Sequence, residues 1–264
     1  MLNLATFWKR RYQVQSRAFH IWTKDDVRIT GTYLDHLNSQ TVVIYAHGFM
    51  ANKDHGRVPR FVQALSGYCA VIAVDLRGHG DSGGGCTMGA REVLDIEATV
   101  DYARSLGYKH IITVGSSMGG ASVIRHAALY KSQDGVATIG AFADLANIGR
   151  IGSDYYIQFL YNTGRFGEIW SYLTRRTRLH KLQKQQPPFQ LVRQIAPLPL
   201  LIIHGEWDPL VHPRSAQQLF SHAKNPKEMI IVPRGGHDSQ HLTAKTAARI
   251  WRWMGRYGLQ GIED

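Results

Sequence analysis

A serine flanked by glycines at fixed spacing lies near the middle of the chain. Residues 111–121 read Ile-Ile-Thr-Val-Gly-Ser-Ser-Met-Gly-Gly-Ala, so Gly115, Ser117 and Gly119 fit the pattern GxSxG. The apolar run before Ser117 predicts a strand and the run after it predicts a helix, with the serine on the sharp turn between them. A serine in such a turn exposes its hydroxyl for attack on a carbonyl carbon. An ordinary glycine-containing turn would show the same five residues, so the rest of the chain is needed to distinguish a nucleophilic serine from an ordinary turn.

A nucleophilic serine requires a base, and the base requires an acid that orients it. Among the thirteen histidines, His237 is the best candidate for the base, because two glycines precede it in a loop after the last predicted strand. His241 is an alternative in the same region. Asp208 follows a neighbouring predicted strand and is the best candidate for the acid, with Glu206 and Asp144 as alternatives.

Alternating strands and helices are predicted to position these residues. The predicted strands span residues 17–22, 27–34, 41–46, 70–74, 109–114, 135–142, 198–204 and 228–232, and the predicted helices span 57–65, 92–105, 117–130, 213–222 and 242–257. This alternation is typical of a parallel sheet that is covered by helices on both faces. Such sheets bind ligands at the carboxyl ends of their strands, and the serine turn lies at that edge.

The alternation stops between residues 145 and 193. This segment is rich in aromatic residues at helical spacing and contains no clear strand; they include Tyr155, Tyr156, Phe159, Tyr161, Phe166, Trp170 and Tyr172. We interpret residues 145–193 as a helical cap (lid) inserted over the site, and residues 1–144 and 194–264 as the core. A few ordinary surface helices would give the same pattern.

The bulk composition narrows the function classes. The chain has 264 residues, a formal net charge of +11 and two cysteines, Cys69 and Cys86, without metal or redox spacing. No nucleic-acid-binding module accompanies the charge, so we expect no nucleic-acid partner but allow weak association with anionic membrane surfaces. No apolar run is long enough for a membrane span, and the first charges follow a short apolar stretch, the reverse of a secretory signal. We therefore expect a cytoplasmic protein.

Four motifs give the chain a family resemblance. They are His47-Gly-Phe49, Asp75-Leu-Arg-Gly-His-Gly-Asp-Ser82, Gly115-Ser-Ser-Met-Gly119, and His204-Gly-Glu-Trp-Asp208 paired with Gly235-Gly-His237. On these motifs the chain resembles the α/β-hydrolase superfamily, and within it the branch of capped serine esterases, monoacylglycerol lipases and serine aminopeptidase-like proteins. The resemblance covers about residues 30–257 apart from the cap. The strong positive charge departs from the family, and the cap shows no known specificity motif.

The resemblance implies the α/β-hydrolase fold, an α/β architecture with a mostly parallel eight-stranded sheet and helices on both faces. It implies that Ser117 is the nucleophile, that His237 acts first as base and then as acid, and that Asp208 orients the imidazole. It also implies an oxyanion hole formed by the backbone N–H groups of Phe49 and Met118. In the other motifs, histidines 47 and 79 are expected to brace loops.

These features predict a serine carboxylic ester hydrolase that works through an acyl-enzyme without cofactor or metal. The aromatic cap and Phe49 favour a small-molecule ester with an apolar acyl group, either a short to medium acyl ester or a monoacylglycerol. A thioesterase or an aminopeptidase-type amide hydrolase would use the same residues. A non-catalytic small-molecule receptor on this fold is a further alternative, and the oligomeric state is not predicted.

Overall fold

One eight-stranded sheet forms the centre of the protein. In a computed structural model, the described residues are 12–147, 169, 172–173 and 176–261. The strands are β1 (Arg17–Trp22), β2 (Arg28–Leu34), β3 (Thr41–Ala46), β4 (Ala70–Val74), β5 (His110–Ser116), β6 (Gly135–Ile139), β7 (Leu200–Gly205) and β8 (Lys227–Val232). Their order is β1-β2-β4-β3-β5-β6-β7-β8. The pairs β1–β2 and β2–β4 are antiparallel and the other five are parallel, which confirms the predicted sheet.

Six α-helices are found in the described part of the chain. They are α1 (Val58–Ser66), α2 (Glu92–Ser105), α3 (Met118–Leu129), α4 (Pro188–Leu191), α5 (Arg214–His222) and α6 (Ala244–Arg256). Short 3₁₀ helices span Leu145–Asn147, Val192–Gln194 and Asp238–His241. All five predicted helices occur within two residues of their predicted bounds. None of the helices described is long and apolar enough to cross a membrane.

The hydrophobic core lies on both faces of the sheet because side chains alternate along each strand. All six residues of β3 are buried, as expected for a central strand of a parallel sheet. Val42 and Ile44 face one apolar cluster with residues of α2, α3 and α5, whereas Val43 and Tyr45 face a second cluster with residues of α1 and α6. Helices therefore cover both faces, as predicted.

Strand β6 is shorter than its predicted span of 135–142. It ends at Ile139 because the next residue, Gly140, has φ of +62° and turns the chain away from the sheet. This positive φ is accessible to glycine at little cost. The residues that follow the turn, Ala141 to Ala143, remain buried beside the core.

Most of the predicted cap of residues 145–193 lies outside the described residues, so the division into core and cap stays a prediction. Of the seven aromatic residues named above for the cap, Tyr172 is described, and it is 48% exposed. The described end of this segment is tied to the core. The backbone of Arg178 donates to Gly78 O, and the backbone of His180 donates to Cys86 O. Both cysteines are buried, and they are not joined in a disulfide bond.

The contact between the serine turn and β3 predicts a stability effect. A β-carbon at Gly119 would lie 2.2 Å from Ala46 O and 2.5 Å from His47 O, both rigid backbone atoms. We expect Gly119→Ala to lower the free energy of unfolding by about 2 kcal/mol or more, because α3 would have to move away from β3. Denaturant unfolding measures this effect. Gly67→Ala is the control, since Gly67 is exposed with φ of −73°, and equal stability of the two variants would contradict the prediction.

Candidate active site

Ser117 lies in a strained turn between β5 and α3. Its φ is 48° and its ψ is −114°, a conformation that residues other than glycine rarely adopt and that occurs mainly at functional sites. Its N–H donates to Ile139 O at 2.8 Å, which ties the turn to the neighbouring strand. The adjacent Ser116 is buried, and its hydroxyl lies 2.9 Å from the hydroxyl of Tyr45. The two serines are therefore held in different surroundings, and Ser117 is half-buried at the sheet edge.

The three residues predicted as nucleophile, base and acid form one hydrogen-bonded row. His237 Nε2 lies 3.0 Å from Ser117 Oγ, and His237 Nδ1 lies 2.7 Å from Asp208 Oδ2. The second oxygen of Asp208 accepts hydrogen bonds from the backbone N–H groups of Leu210 at 2.9 Å and Val211 at 2.8 Å. Because both oxygens are engaged, the carboxylate has a fixed orientation towards the imidazole.

The surroundings of the row shift the pKa values of Asp208 and His237 in opposite directions. For Asp208, burial disfavours the carboxylate, but the hydrogen bond and charge of His237 outweigh burial and lower the pKa of Asp208. For His237, burial disfavours the imidazolium, but the hydrogen bond to Asp208 and the charge of Asp238 outweigh burial and raise its pKa. The row therefore favours an ionised Asp208 and stabilises the imidazolium that forms when His237 accepts a proton.

The alternative acid and base candidates are engaged in other contacts. Glu206 accepts a hydrogen bond from the backbone N–H of Arg234 at 2.9 Å. Asp144 accepts one from the backbone N–H two residues further along its own turn at 3.0 Å. His241 is buried, and its Nε2 donates to Gly236 O at 2.8 Å. These contacts order the loops around the row.

The turn that carries Phe49 touches the serine turn. A β-carbon at Gly48 would lie only 3.2 Å from Ser117 Cβ, so the two turns are in close contact. Met118 is the first residue of α3, where helix N–H groups have no partner four residues earlier. The two predicted oxyanion donors, the N–H groups of Phe49 and Met118, thus belong to turns that meet beside Ser117.

Two buried histidines hold the Phe49 turn against the loop of residues 75–82. His47 Nδ1 donates to Gly48 O at 2.7 Å, and its Nε2 accepts from the N–H of Leu76 at 3.0 Å. His79 Nδ1 lies 3.0 Å from Arg77 O, and its Nε2 accepts from the N–H of Met50 at 3.3 Å. Burial lowers the pKa of both histidines. Both rings therefore stay neutral, because a ring nitrogen can accept a hydrogen bond only when it carries no proton.

Replacing His79 is expected to disturb the predicted oxyanion hole. His79→Leu removes the acceptor for the N–H of Met50, which follows Phe49 directly, and we expect kcat to fall about 10- to 100-fold with a smaller change in KM. That range lies below the effect of deleting an oxyanion donor outright. Steady-state ester hydrolysis measures both constants. His20→Leu is the control because His20 is exposed on β1, and an unchanged kcat for His79→Leu would contradict the prediction.

Two residues near the site were not predicted from the sequence. Lys53 is 6% exposed; its Nζ lies 3.1 Å from Asp75 Oδ2, and its N–H donates to Asp75 Oδ1 at 2.8 Å. This pair ties the chain after Phe49 to the loop that begins at Asp75. Asp238 lies beside His237, with Oδ1 3.7 Å from Nε2. Lys53 lies in an ordinary polar stretch of sequence, whereas the position of Asp238 directly after His237 was an available signal.

Comparisons with known proteins agree with the fold. Residues 43–249 match the alpha/beta hydrolase family model. The uncharacterized protein YfhR of Escherichia coli K12 is 24% identical over 229 residues, which cover 81% of this chain and 70% of that protein. The esterase Pf2001 of Pyrococcus furiosus has a TM-score of 0.74 at 23% identity, over 92% of this chain and 93% of that one. The alpha/beta hydrolase GrgF of Penicillium sp. sh18 has a TM-score of 0.75 at 16% identity, over 94% and 100%.

Proposed function

The chain belongs to the alpha/beta hydrolase family, and on that premise we propose that it is a serine hydrolase that cleaves carboxylic esters through an acyl-enzyme. The observation that carries this proposal is the row in which Ser117, His237 and Asp208 are joined by contacts of 3.0 Å and 2.7 Å. The same residue types in the same connectivity perform acyl transfer on several unrelated folds. The structurally similar protein of Pyrococcus furiosus is named an esterase.

In the proposed acylation step, Ser117 at one end of the row is the nucleophile, and Asp208 at the other end orients His237. Ser117 Oγ attacks the acyl carbon while its proton passes to His237 Nε2. The carbonyl oxygen becomes an oxyanion that accepts hydrogen bonds from the backbone N–H groups of Phe49 and Met118. The bond to the leaving oxygen then breaks, and the proton on Nε2 passes to the departing alcohol. Asp208 accepts the hydrogen bond from Nδ1 throughout and keeps its charge, because its pKa is lowered in this site.

Deacylation repeats these steps with water as the nucleophile. Water gives one proton to His237 Nε2, and its oxygen bonds to the acyl carbon, so that a second oxyanion forms in the same hole. The bond between the acyl carbon and Ser117 Oγ breaks, Oγ takes the proton from Nε2, and the carboxylic acid leaves. Each step uses groups of this chain, the ester and water.

The substrate we propose is a small ester with an apolar acyl group. Phe49 is half-buried and packs against the core cluster on the α3 face of the sheet, which supports the proposal that its ring forms one apolar wall of the acyl site. The aromatic residues of the predicted cap favour the same substrate class. We expect short to medium acyl esters and monoacylglycerols to be the best substrates; thioesters and amides would use the same row of residues.

A matched panel of substrates tests the proposal. Rates of hydrolysis are measured for p-nitrophenyl esters of rising acyl length, and for a thioester and an anilide that carry the acyl group of the best ester. We expect the highest kcat/KM for short to medium esters, and lower values for the anilide. A preference for the thioester or the anilide would reassign the substrate class, whereas well-folded protein that hydrolyses none of them would support the receptor alternative.

A further inference from the structure

A second carboxylate lies beside the base of the proposed reaction. Asp238 Oδ1 is 3.7 Å from His237 Nε2, which is too long for a direct hydrogen bond. Nε2 itself is directed at Ser117 Oγ, 3.0 Å away. The imidazole is already oriented by Asp208 on its other nitrogen. Asp208 therefore accounts for the orientation of His237, and the carboxylate of Asp238 lies on the side of the ring that faces Ser117.

The other oxygen of Asp238 faces the Phe49 turn. A β-carbon at Gly48 would lie 2.7 Å from Asp238 Oδ2 and 3.2 Å from Ser117 Cβ. The carboxylate thus extends from His237 Nε2 to the turn that supplies one proposed oxyanion donor. Its side chain is 16% exposed, so water reaches it. A carboxylate here lies beside the space in which an acyl group on Ser117 would be attacked.

We propose that Asp238 positions the water that releases the acyl group from Ser117, an inference that rests on the proposed acyl-enzyme function. A water about 2.8 Å from each group can bridge the 3.7 Å between His237 Nε2 and Asp238 Oδ1. One hydrogen of this water faces Nε2, the second is accepted by Oδ1, and a lone pair of its oxygen is left to face the acyl carbon. Holding the attacking atom in this way removes orientational freedom before the reaction.

Asp238 takes no proton in this step. The first hydrogen of water passes to Nε2 as the oxygen bonds to the acyl carbon, and it passes on to Ser117 Oγ when the acyl bond breaks. The second hydrogen stays on the new carboxylic acid until that acid ionises. Asp238 is therefore a water-positioning residue, and its effect should be largest for a nucleophile with two hydrogens.

Methanol provides the matched nucleophile. Its single hydroxyl hydrogen is taken by His237 Nε2, so no hydrogen is left for Asp238 to accept. The test measures the ratio of methyl ester to free acid formed from a p-nitrophenyl ester in aqueous methanol, for the wild type, Asp238→Ala and Asp238→Asn. We expect Asp238→Ala to raise this ratio at least about tenfold by slowing hydrolysis. The Asn variant should lie in between, because its amide oxygen still accepts a hydrogen bond.

The ratio separates this role from a structural or purely electrostatic one. If Asp238 acted only through the charge or position of His237, hydrolysis and methanolysis would fall together, and an unchanged ratio would overturn the proposal. Asp101→Asn, at an exposed position on α2, is the control and should leave the ratio unchanged. Melting curves identify any variant that fails to fold, and the near-isosteric Asn variant then decides. Absence of an acyl adduct on wild-type Ser117 would instead contradict the proposed function itself.

Discussion

Replacing Ser117 by alanine is expected to lower kcat for ester hydrolysis by at least about 10³-fold. In the proposed mechanism the variant lacks the oxygen that attacks the acyl carbon but keeps the proposed oxyanion donors and acyl site, so a small residual rate is expected. Alanine has the same β-carbon as serine, and the strain of φ 48° at this position is therefore unchanged. The loss should appear in kcat without loss of fold, as followed by melting curves.

The neighbouring serine provides the control for this variant. Ser116→Ala removes one hydrogen bond with Tyr45 and should keep kcat within about threefold of the wild type, since no reacting atom is lost. A Ser117→Ala variant that keeps more than about a tenth of wild-type activity would move the nucleophile away from Ser117.

Replacing Asp208 by asparagine is expected to lower kcat by about 10³- to 10⁴-fold. The amide oxygen can still accept from the N–H groups of Leu210 and Val211, which bind Asp208 Oδ1. That arrangement turns the NH₂ group towards His237 Nδ1, which must then be an acceptor. The imidazole proton moves to Nε2, where it faces Ser117 Oγ and blocks its action as a base.

The pH profile gives an independent readout of the Asp208→Asn variant. Asp208 raises the pKa of His237 against the opposing effect of burial, and we expect wild-type activity to be lost as the pH falls through that pKa. Removing the negative charge lowers the pKa, so the acidic limb of the residual activity should shift to lower pH. Glu206→Gln and Asp144→Asn are matched controls and should keep activity within about threefold. A large loss in either control, with Asp208→Asn active, would reassign the acid.

The sequence could predict that the candidate site residues lie close together, because parallel strands have a common direction. Ser117, Asp208 and His237 each follow a strand, and parallel pairing places the ends of those strands at one edge of the sheet. The glycine spacing around Ser117 predicted a sharp turn between a strand and a helix, and that turn lies at the same edge. The predicted strands and helices lie close to the observed ones because buried apolar runs leave few alternative arrangements.

The choice among the candidate acids depended on contacts between residues that are distant in sequence. Asp208, Glu206 and Asp144 all follow strands, and the sequence alone left them as alternatives. The structure distinguishes them by contact, because Asp208 lies 2.7 Å from His237 Nδ1 whereas Glu206 accepts from the backbone of Arg234. The end of β6 depended on a glycine turn that an apolar pattern does not reveal. We expect substrate specificity to reside in the predicted cap, whose aromatic pattern indicates an apolar surface but does not select one acyl group.

The most direct test of the central claim is covalent labelling with a fluorophosphonate. The reagent needs a nucleophile activated by a base and is held by an oxyanion hole, so it reports the row of Ser117, His237 and Asp208 without any assumption about the substrate. The modified peptide is then identified by mass spectrometry. We predict rapid, stoichiometric modification of Ser117 in the wild type and slow modification in Asp208→Asn. Absence of labelling in well-folded protein, or an adduct on another residue, would contradict the assignment of Ser117 as the nucleophile.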